Sequence, residues 1–440
     1  MIINVRETTM IRPAEETPRD ALWLSNMDLM TAEVHVPTVY FYRHSEADNF
    51  FDAAILKDAL GKVLVPFYPL AGRLRIDNTG RLEVDCNAEG VLFVEAETSS
   101  VLDELGDFTP TMELRKLVPP VDRSRGVSSF SLLVLQICYF KCGAVSLGVG
   151  VEHRLVDGTS GMHFVKEWSN IARGLRLSLQ PLLDRTFLRA RDPPQPKYPH
   201  VEYQPCPKLM KTLEDNERSG SRNDDDITVV GLFEIKEAQI RILKAKSKDG
   251  GNTINHSTYE ILAGHVWKCA SKARSLSDEQ ETKLFIPTSG RSRFLQPPFQ
   301  PNFFGNVVFT ACAIATVGDL KSKPSWYAAR KIHDAITQMT DDYLRSSIDF
   351  VELLPNISSR GLRSDVYGNP NLGINSWVRL PVYDADFGWG RPFNVGPAGI
   401  AYDGKSFLLP TLADHGSVAL AIALRSQHMK VFKKLLYDDI

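Results

Sequence analysis

Apolar and polar positions along this chain alternate between two periods. The stretch "AVSLGVGVE" (Ala144 to Glu152) has period two, "VYFYR" and "RLEVD" also read as strands, and "SSFSLLVLQICYF" is apolar enough to lie in mid-sheet. Helical spacing appears in "AAILKDALGKVLVPF", "GMHFVKEWSNIARGL" and "PSWYAARKIHDAITQM", and in the second Met162, Val165, Trp168, Ile171 and Ala172 fall on one stripe. Strand-like and helical segments alternate without a short internal repeat, which predicts a mixed α/β protein.

One stretch breaks the pattern. "RARDPPQPKYPHVEYQPCPKLMKTLEDNERSGSRNDDD" is crowded first with proline and then with charge, Ser and Gly, so it is expected to bury little and to run over the surface. That places a linker at 182–226, between a first domain over 1–181 and a second over 227–440. Its acidic end, Asp224 to Asp226, reads as a solvated loop tip.

Composition narrows the classes. With 440 residues, 43% hydrophobic and 24% charged, the chain can bury a large core, and its formal charge of −2 offers no electrostatic case for nucleic acid or an anionic membrane. The longest apolar run is too short to span a bilayer, and Arg6 and Glu7 interrupt what would be the apolar part of a signal peptide. Six scattered cysteines (Cys86, Cys138, Cys142, Cys206, Cys269 and Cys312) lack the spacing of a zinc site or disulfide framework. The expectation is a cytoplasmic protein with free thiols and no metal.

Chemistry enters at "VEHRLVDG", where His153 precedes Asp157 by four residues at the end of the alternating run. Gly158 suits a tight turn and Thr159 or Ser160 would cap the helix that follows. A histidine at a strand's end is well placed to act as a base, and a His and carboxylate four apart make a metal face only on a helix. The pattern alone fits equally well a half-buried histidine whose aspartate merely closes the turn. A second stretch, "DADFGWGRP", sets two glycines about an aromatic behind Asp386, which demands a particular backbone turn and matches neither a phosphate loop nor a nucleophile elbow.

Together these two motifs resemble the plant BAHD acyltransferases, marked by HxxxDG in mid-chain and DFGWG near the end. The likeness runs through "LVPFYPLAGRLR", "DCNAEGVLFVEAE", "YFKCGAVSLGVG", "RARDPPQP", "FFGNVVF" and "NLGINSWVRLP", and is greatest to the hydroxycinnamoyl-CoA branch. It implies two chloramphenicol-acetyltransferase-like domains, with a segment of about 383–405 returning to the first, and a channel between them. It implies no cofactor: acyl-CoA is a substrate, the acceptor a small molecule, the enzyme a monomer.

The resemblance also assigns residues. His153 would take the acceptor's proton, as a neutral imidazole can near neutral pH, with Trp377 and Asn375 as oxyanion donors. Asp157, paired with Arg291, would support the turn, and Asp386 and Gly388 would shape a scaffold. The donor would run past His256, Ser257, Thr258, Tyr259, Thr288, Arg293, Ser376 and Arg379. The acceptor would meet His35, Thr38 and Tyr40; the relatives' carboxylate-binding arginine falls on Leu362, flanked by Arg360 and Arg363. The implied reaction moves p-coumaroyl or caffeoyl from CoA to shikimate, with quinate, hydroxyphenyllactate or an amine as alternatives. A non-catalytic acyl-CoA-binding relative is the reading from another class.

Overall fold

The computed structural model describes residues 1–207, 209, 227–249, 252–355, 364–411, 416–438 and 440. Arg360, Leu362 and Arg363 lie outside the described residues, as does most of 208–226.

Two six-stranded mixed sheets carry the fold. The first is ordered β1 (Asn4–Ile11), β6 (Val91–Thr98), β7 (Leu133–Phe140), β8 (Val145–Glu152), β3 (His35–Tyr42) and β13 (Asn394–Pro397). Only β6 and β7 are parallel in it. The second is ordered β11 (Val308–Thr316), β10 (Glu281–Ser289), β12 (Leu372–Ser376), β14 (Lys405–Pro410), β15 (Val418–Arg425) and β9 (Thr228–Ile235). Here β12 runs parallel to both neighbours. A small sheet of β2 (Leu22–Trp23), β5 (Leu82–Asp85) and β4 (Arg73–Ile76) completes the strands.

Helices α1 (Asn26–Leu29), α2 (Ala53–Val63) and α3 (Gly158–Ala172) belong to the first half of the chain. Helices α4 (Glu237–Lys246), α5 (Thr258–Ala273), α6 (Val317–Ser322), α7 (Trp326–Thr337), α8 (Asp341–Glu352) and α9 (Ser426–Asp438) belong to the second. The α3 stripe packs inward, with Trp168 buried against Phe93, Phe164 and Phe387, and its indole N–H donates to Leu56 O at 3.0 Å. A second core gathers around Trp267 of α5 and the inner faces of β10, β11 and β15. No helix among the described residues is long and apolar enough to cross a membrane.

The described part of the crossover is less solvated than its prolines suggest. Arg191 pairs with Asp349 of α8, and His200 and Glu202 are buried, His200 bonded to Ser346 and Glu202 to the Tyr343 hydroxyl. Tyr198, His200 and Tyr203 supply, between the prolines, the apolar area that fastens the segment to α8. The stretch between β12 and β14 also changes partners: β13 leaves the second sheet and pairs with β3 at the edge of the first.

Candidate active site

A cavity of about 690 Å³ lies where the ends of β3 and β8 face β12 and β14. That is within the range of small-molecule sites. Its walls include His153, Asn375, Ser376, Trp377, Lys405 and Phe407.

His153 follows the last residue of β8, and its backbone is fixed from both sides: its N–H donates to Val34 O at 3.0 Å, and its carbonyl accepts from Asn306 Nδ2 at 2.8 Å. The ring's Nδ1 makes a long contact of 3.3 Å with Val156 O. A carbonyl only accepts, so Nδ1 carries the proton there and Nε2 keeps its lone pair. Burial lowers the imidazole's pKa below 6.5, and Lys405 lowers it further against the opposing pull of Asp157 and Glu152. The His153 ring is therefore neutral at pH 7.

Asp157 does not touch that ring. Its carboxylate takes two bonds from Arg291, at 2.5 and 3.0 Å, and the backbone N–H groups of Ser160 and Val307, both at 3.0 Å. Burial alone would raise its pKa, but the Arg291 guanidinium and these bonds outweigh it and hold the carboxyl below the usual range. The helix cap differs from the sequence expectation: Asp157, in an extended conformation, caps α3, while Thr159 and Ser160 are already helical. Ser160 Oγ instead reaches Gly305, accepting its N–H at 3.1 Å and donating to its carbonyl at 3.0 Å.

Asn375 and Lys405 project from neighbouring parallel strands, where Gly373 is opposite Lys405 and Asn375 opposite Phe407. The Lys405 ammonium donates to Asn375 Oδ1 at 3.2 Å. An ammonium has no acceptor, so this contact fixes which end of the amide faces it and leaves the NH₂ to donate elsewhere. Trp377 is buried with its ring edge-on to Phe407, and among the described residues its indole N–H makes no hydrogen bond to protein.

The acceptor-side residues reach the cavity but do not all present polar atoms to it. His35, Thr38 and Tyr40 line it. His35, however, uses Nε2 on Ser131 O at 2.7 Å and Nδ1 on Arg123 at 2.8 Å, and burial drives its pKa down to about 4. The Tyr40 hydroxyl points at Met162 Sδ, 3.1 Å away. Both therefore offer ring surface to a ligand.

Of the donor-side residues only Ser376 lines this cavity. Ser257 is the N-cap of α5 and Thr258 its first residue; the Tyr259 hydroxyl donates to Ile374 O at 2.8 Å, and Thr288 Oγ1 to Ile286 O at 3.0 Å. Arg293 is turned to the end of α7, donating to Ile336 O and Met339 O at 3.1 and 2.9 Å, because terminal helix carbonyls lack partners of their own. Arg379 is exposed. His256 is buried beside Glu260 and His333, the ligand atoms of the three lying within 4.8 Å of one another. Glu260 is already engaged there, accepting the Ser257 N–H at 2.6 Å in the capping box of α5 and the His333 ring at 3.1 Å.

Asp386 lies away from the cavity and accepts the N–H groups of Gly388 and Gly390 at 2.9 and 3.1 Å. Both glycines have φ near +100°, a region other residues avoid. The turn presents Phe387 to Trp168 and Trp389 to Phe51, which moors β13 against the first half.

Sequence reasoning missed Asn306 and Lys405. The one lay inside a quoted stretch of family likeness, "FFGNVVF"; the other is a single charge in a strand that otherwise reads as apolar.

The Transferase family model matches residues 1–439. Shikimate O-hydroxycinnamoyltransferase of Nicotiana tabacum is 56% identical over 438 residues, covering 100% of both chains. Hydroxycinnamoyl-CoA:5-hydroxyanthranilate N-hydroxycinnamoyltransferase of Avena sativa is 48% identical over 448 residues, again 100% of both. The crystal structure of vinorine synthase shares the fold, with a TM-score of 0.74 at 23% identity, covering 98% of this chain and 96% of that one. The two-sheet fold and full-length matches of this strength mean that the chain belongs to the Transferase family, the BAHD acyltransferases.

Proposed function

We propose that this chain transfers a hydroxycinnamoyl group from CoA to a hydroxyl of shikimate by direct attack, acting as a cytoplasmic monomer. The observation that carries the reading is the neutral His153 ring, with Nδ1 held by Val156 and Nε2 free in the cavity. The acceptor hydroxyl gives its proton to Nε2 as its oxygen bonds to the thioester carbonyl carbon. The resulting oxyanion takes hydrogen bonds from the Asn375 NH₂ and the Trp377 indole N–H, each such donor contributing about 2.7–4 kcal/mol to the transition state. The C–S bond then breaks, and the imidazolium returns its proton to the departing CoA thiolate. Ester and free CoA leave, and His153 is neutral again.

Acyl-CoA is consumed as a substrate, as the name of the oat relative states for that enzyme. The tobacco relative's acceptor favours shikimate. The oat relative supports a second reading, N-acylation of an aromatic amino acid, which needs the same base. The six cysteines, three of them buried and none in a disulfide among the described residues, fit a reducing compartment.

The test is a panel of acceptors (shikimate, quinate, hydroxyphenyllactate, 5-hydroxyanthranilate) against p-coumaroyl-CoA, with product masses measured. Shikimate ester should dominate; amide product would establish the second reading, and no product with any acceptor would leave a non-catalytic relative.

A further inference from the structure

The cavity holds a cation that the reaction just described does not use. Lys405 heads β14, and its ammonium lies 4.3 Å from the centroid of the Tyr367 ring and 5.4 Å from that of Phe407. Gly373, opposite it on β12, leaves the room for Tyr367: a Cβ there would come within 2.4 Å of that ring. Apart from these ring faces the ammonium has, among the described residues, one partner, Asn375 Oδ1. No carboxylate among the described residues reaches it. The other cavity cations are engaged differently, Arg123 with Glu152 and Arg115 with the Val118 carbonyl at 2.9 Å.

Removing an ammonium from water without a counter-ion is costly, and the consequence here is a pKa pushed down by burial to about 8. Such a charge is retained most readily where an anion arrives with the ligand. Three N–H donors are available, and Asn375 takes one, so two remain for the oxygens of a carboxylate. The field of Lys405 also reaches His153 across the same cavity.

We propose that the Lys405 ammonium receives the carboxylate of the acyl acceptor, and so aims the acceptor's nucleophilic group at His153 Nε2. This rests on the reading of the chain as a transferase to shikimate or another carboxylate-bearing acceptor. Lys405 is thus a specificity-determining residue. Through the same hydrogen bond it orients Asn375, so that acceptor binding and the oxyanion donor share one anchor.

The test compares wild type with Lys405→Met and Lys405→Leu, which keep the bulk of the stem without the charge, using shikimate and its methyl ester. Expected is a rise of at least about tenfold in KM and in the calorimetric Kd for shikimate, with KM for p-coumaroyl-CoA and for the methyl ester unchanged, while loss of the Asn375 anchor lowers kcat for both acceptors alike. Both variants should stay close to wild type in stability, since a half-buried charge without a counter-ion is replaced by an apolar side chain.

In wild type, kcat/KM for shikimate should fall as pH rises through about 8, where the ammonium loses its proton, and the variants should lack this limb. The other groups facing Lys405 do not titrate there: His153 is neutral above 6.5, and the Tyr367 phenol is pushed up to about 12. Asp403, on the turn before β14, is paired with Arg274.

An unchanged shikimate Kd, an equal rise in KM for the methyl ester, or a loss of shikimate binding in Arg115→Gln with none in Lys405→Met would overturn the proposal. The two readings fail separately. Lys405-dependent binding of shikimate without turnover would remove the transferase function and leave this site; turnover indifferent to Lys405 would do the reverse.

Discussion

Two turns in this molecule are each organised by an aspartate that accepts backbone N–H groups, yet the two carboxylates hold different things together. At Asp157 one donor belongs to its own helix, and the others, Val307 N–H and the Arg291 guanidinium, come from the second half of the chain. At Asp386 both donors, Gly388 and Gly390, lie within four residues. The first carboxylate is buried and charge-paired and clamps the two halves beside the proposed base; the second is half-buried and shapes a loop whose aromatic side chains do the mooring. In sequence the two motifs look equally strong. What separates them is how far away the donors originate.

The largest effect should come from the residue the first turn carries. His153→Ala is expected to lower kcat/KM by about 10²–10⁴-fold while leaving Tm close to that of wild type, as measured by steady-state kinetics and calorimetry. In wild type the acid limb of kcat/KM should have its midpoint below 6.5, because burial and Lys405 keep the ring neutral. The same depression makes stability fall as pH drops from 6.5 towards the folded-state pKa, since there the unfolded chain binds a proton that the native ring refuses. The Ala variant should show a shallower slope there, with the contribution of His35 remaining.

Breaking the clamp itself should come next. Asp157→Ala leaves Arg291 without its partner and is expected to cost about 3–5 kcal/mol in urea unfolding, with activity falling alongside; Arg291→Met should reproduce it, and the double variant should recover part of the loss. Because the Asp157 pKa is held below 3.8, its stabilisation is complete above that pH and disappears as pH falls below it, so Asp157→Asn should flatten the acid side of the stability profile. Lost activity at unchanged stability in Asp157→Ala, with Arg291→Met normal, would make the aspartate a proton relay instead.

The smallest effect should come from the second turn. Asp386→Ala removes two hydrogen bonds from a half-buried loop and should cost about 1 kcal/mol by denaturant titration, with kcat near wild type. A loss as large as that of Asp157→Ala would erase the distinction between the turns.

Much of the architecture was legible in the sequence because it depends on neighbours along the chain. The strand ending at Glu152, the helix carrying Trp168 and the glycines behind Asp386 all follow from periodicity or from backbone needs of a few residues. Resemblance supplied what no local pattern could, the pairing of Asp157 with a residue 134 positions away. Lys405 was not legible: a lysine opening a strand reads as a solvated edge charge until Tyr367 and Asn375 are seen to enclose it. The donor-side arginine read otherwise than it folds for a related reason. A charged side chain goes to the nearest unmet carbonyls, and for Arg293 these are at the end of α7.

The partner exchange of β13 bears on how such a protein could have been assembled. β12 and β14 are adjacent strands of one sheet, yet the chain between them visits the other sheet before coming back. Neither half of the sequence encodes a complete sheet-and-cover unit: residues 1–207 lack the strand that closes their own edge, and residues 227–440 contain it without its partner. The two halves are therefore not interchangeable modules. Recombination between relatives at the proline-rich crossover would join a first half to a mismatched edge strand, and for the same reason would reset the lining of the cavity, whose Asn375 and Lys405 stand at the two roots of that excursion.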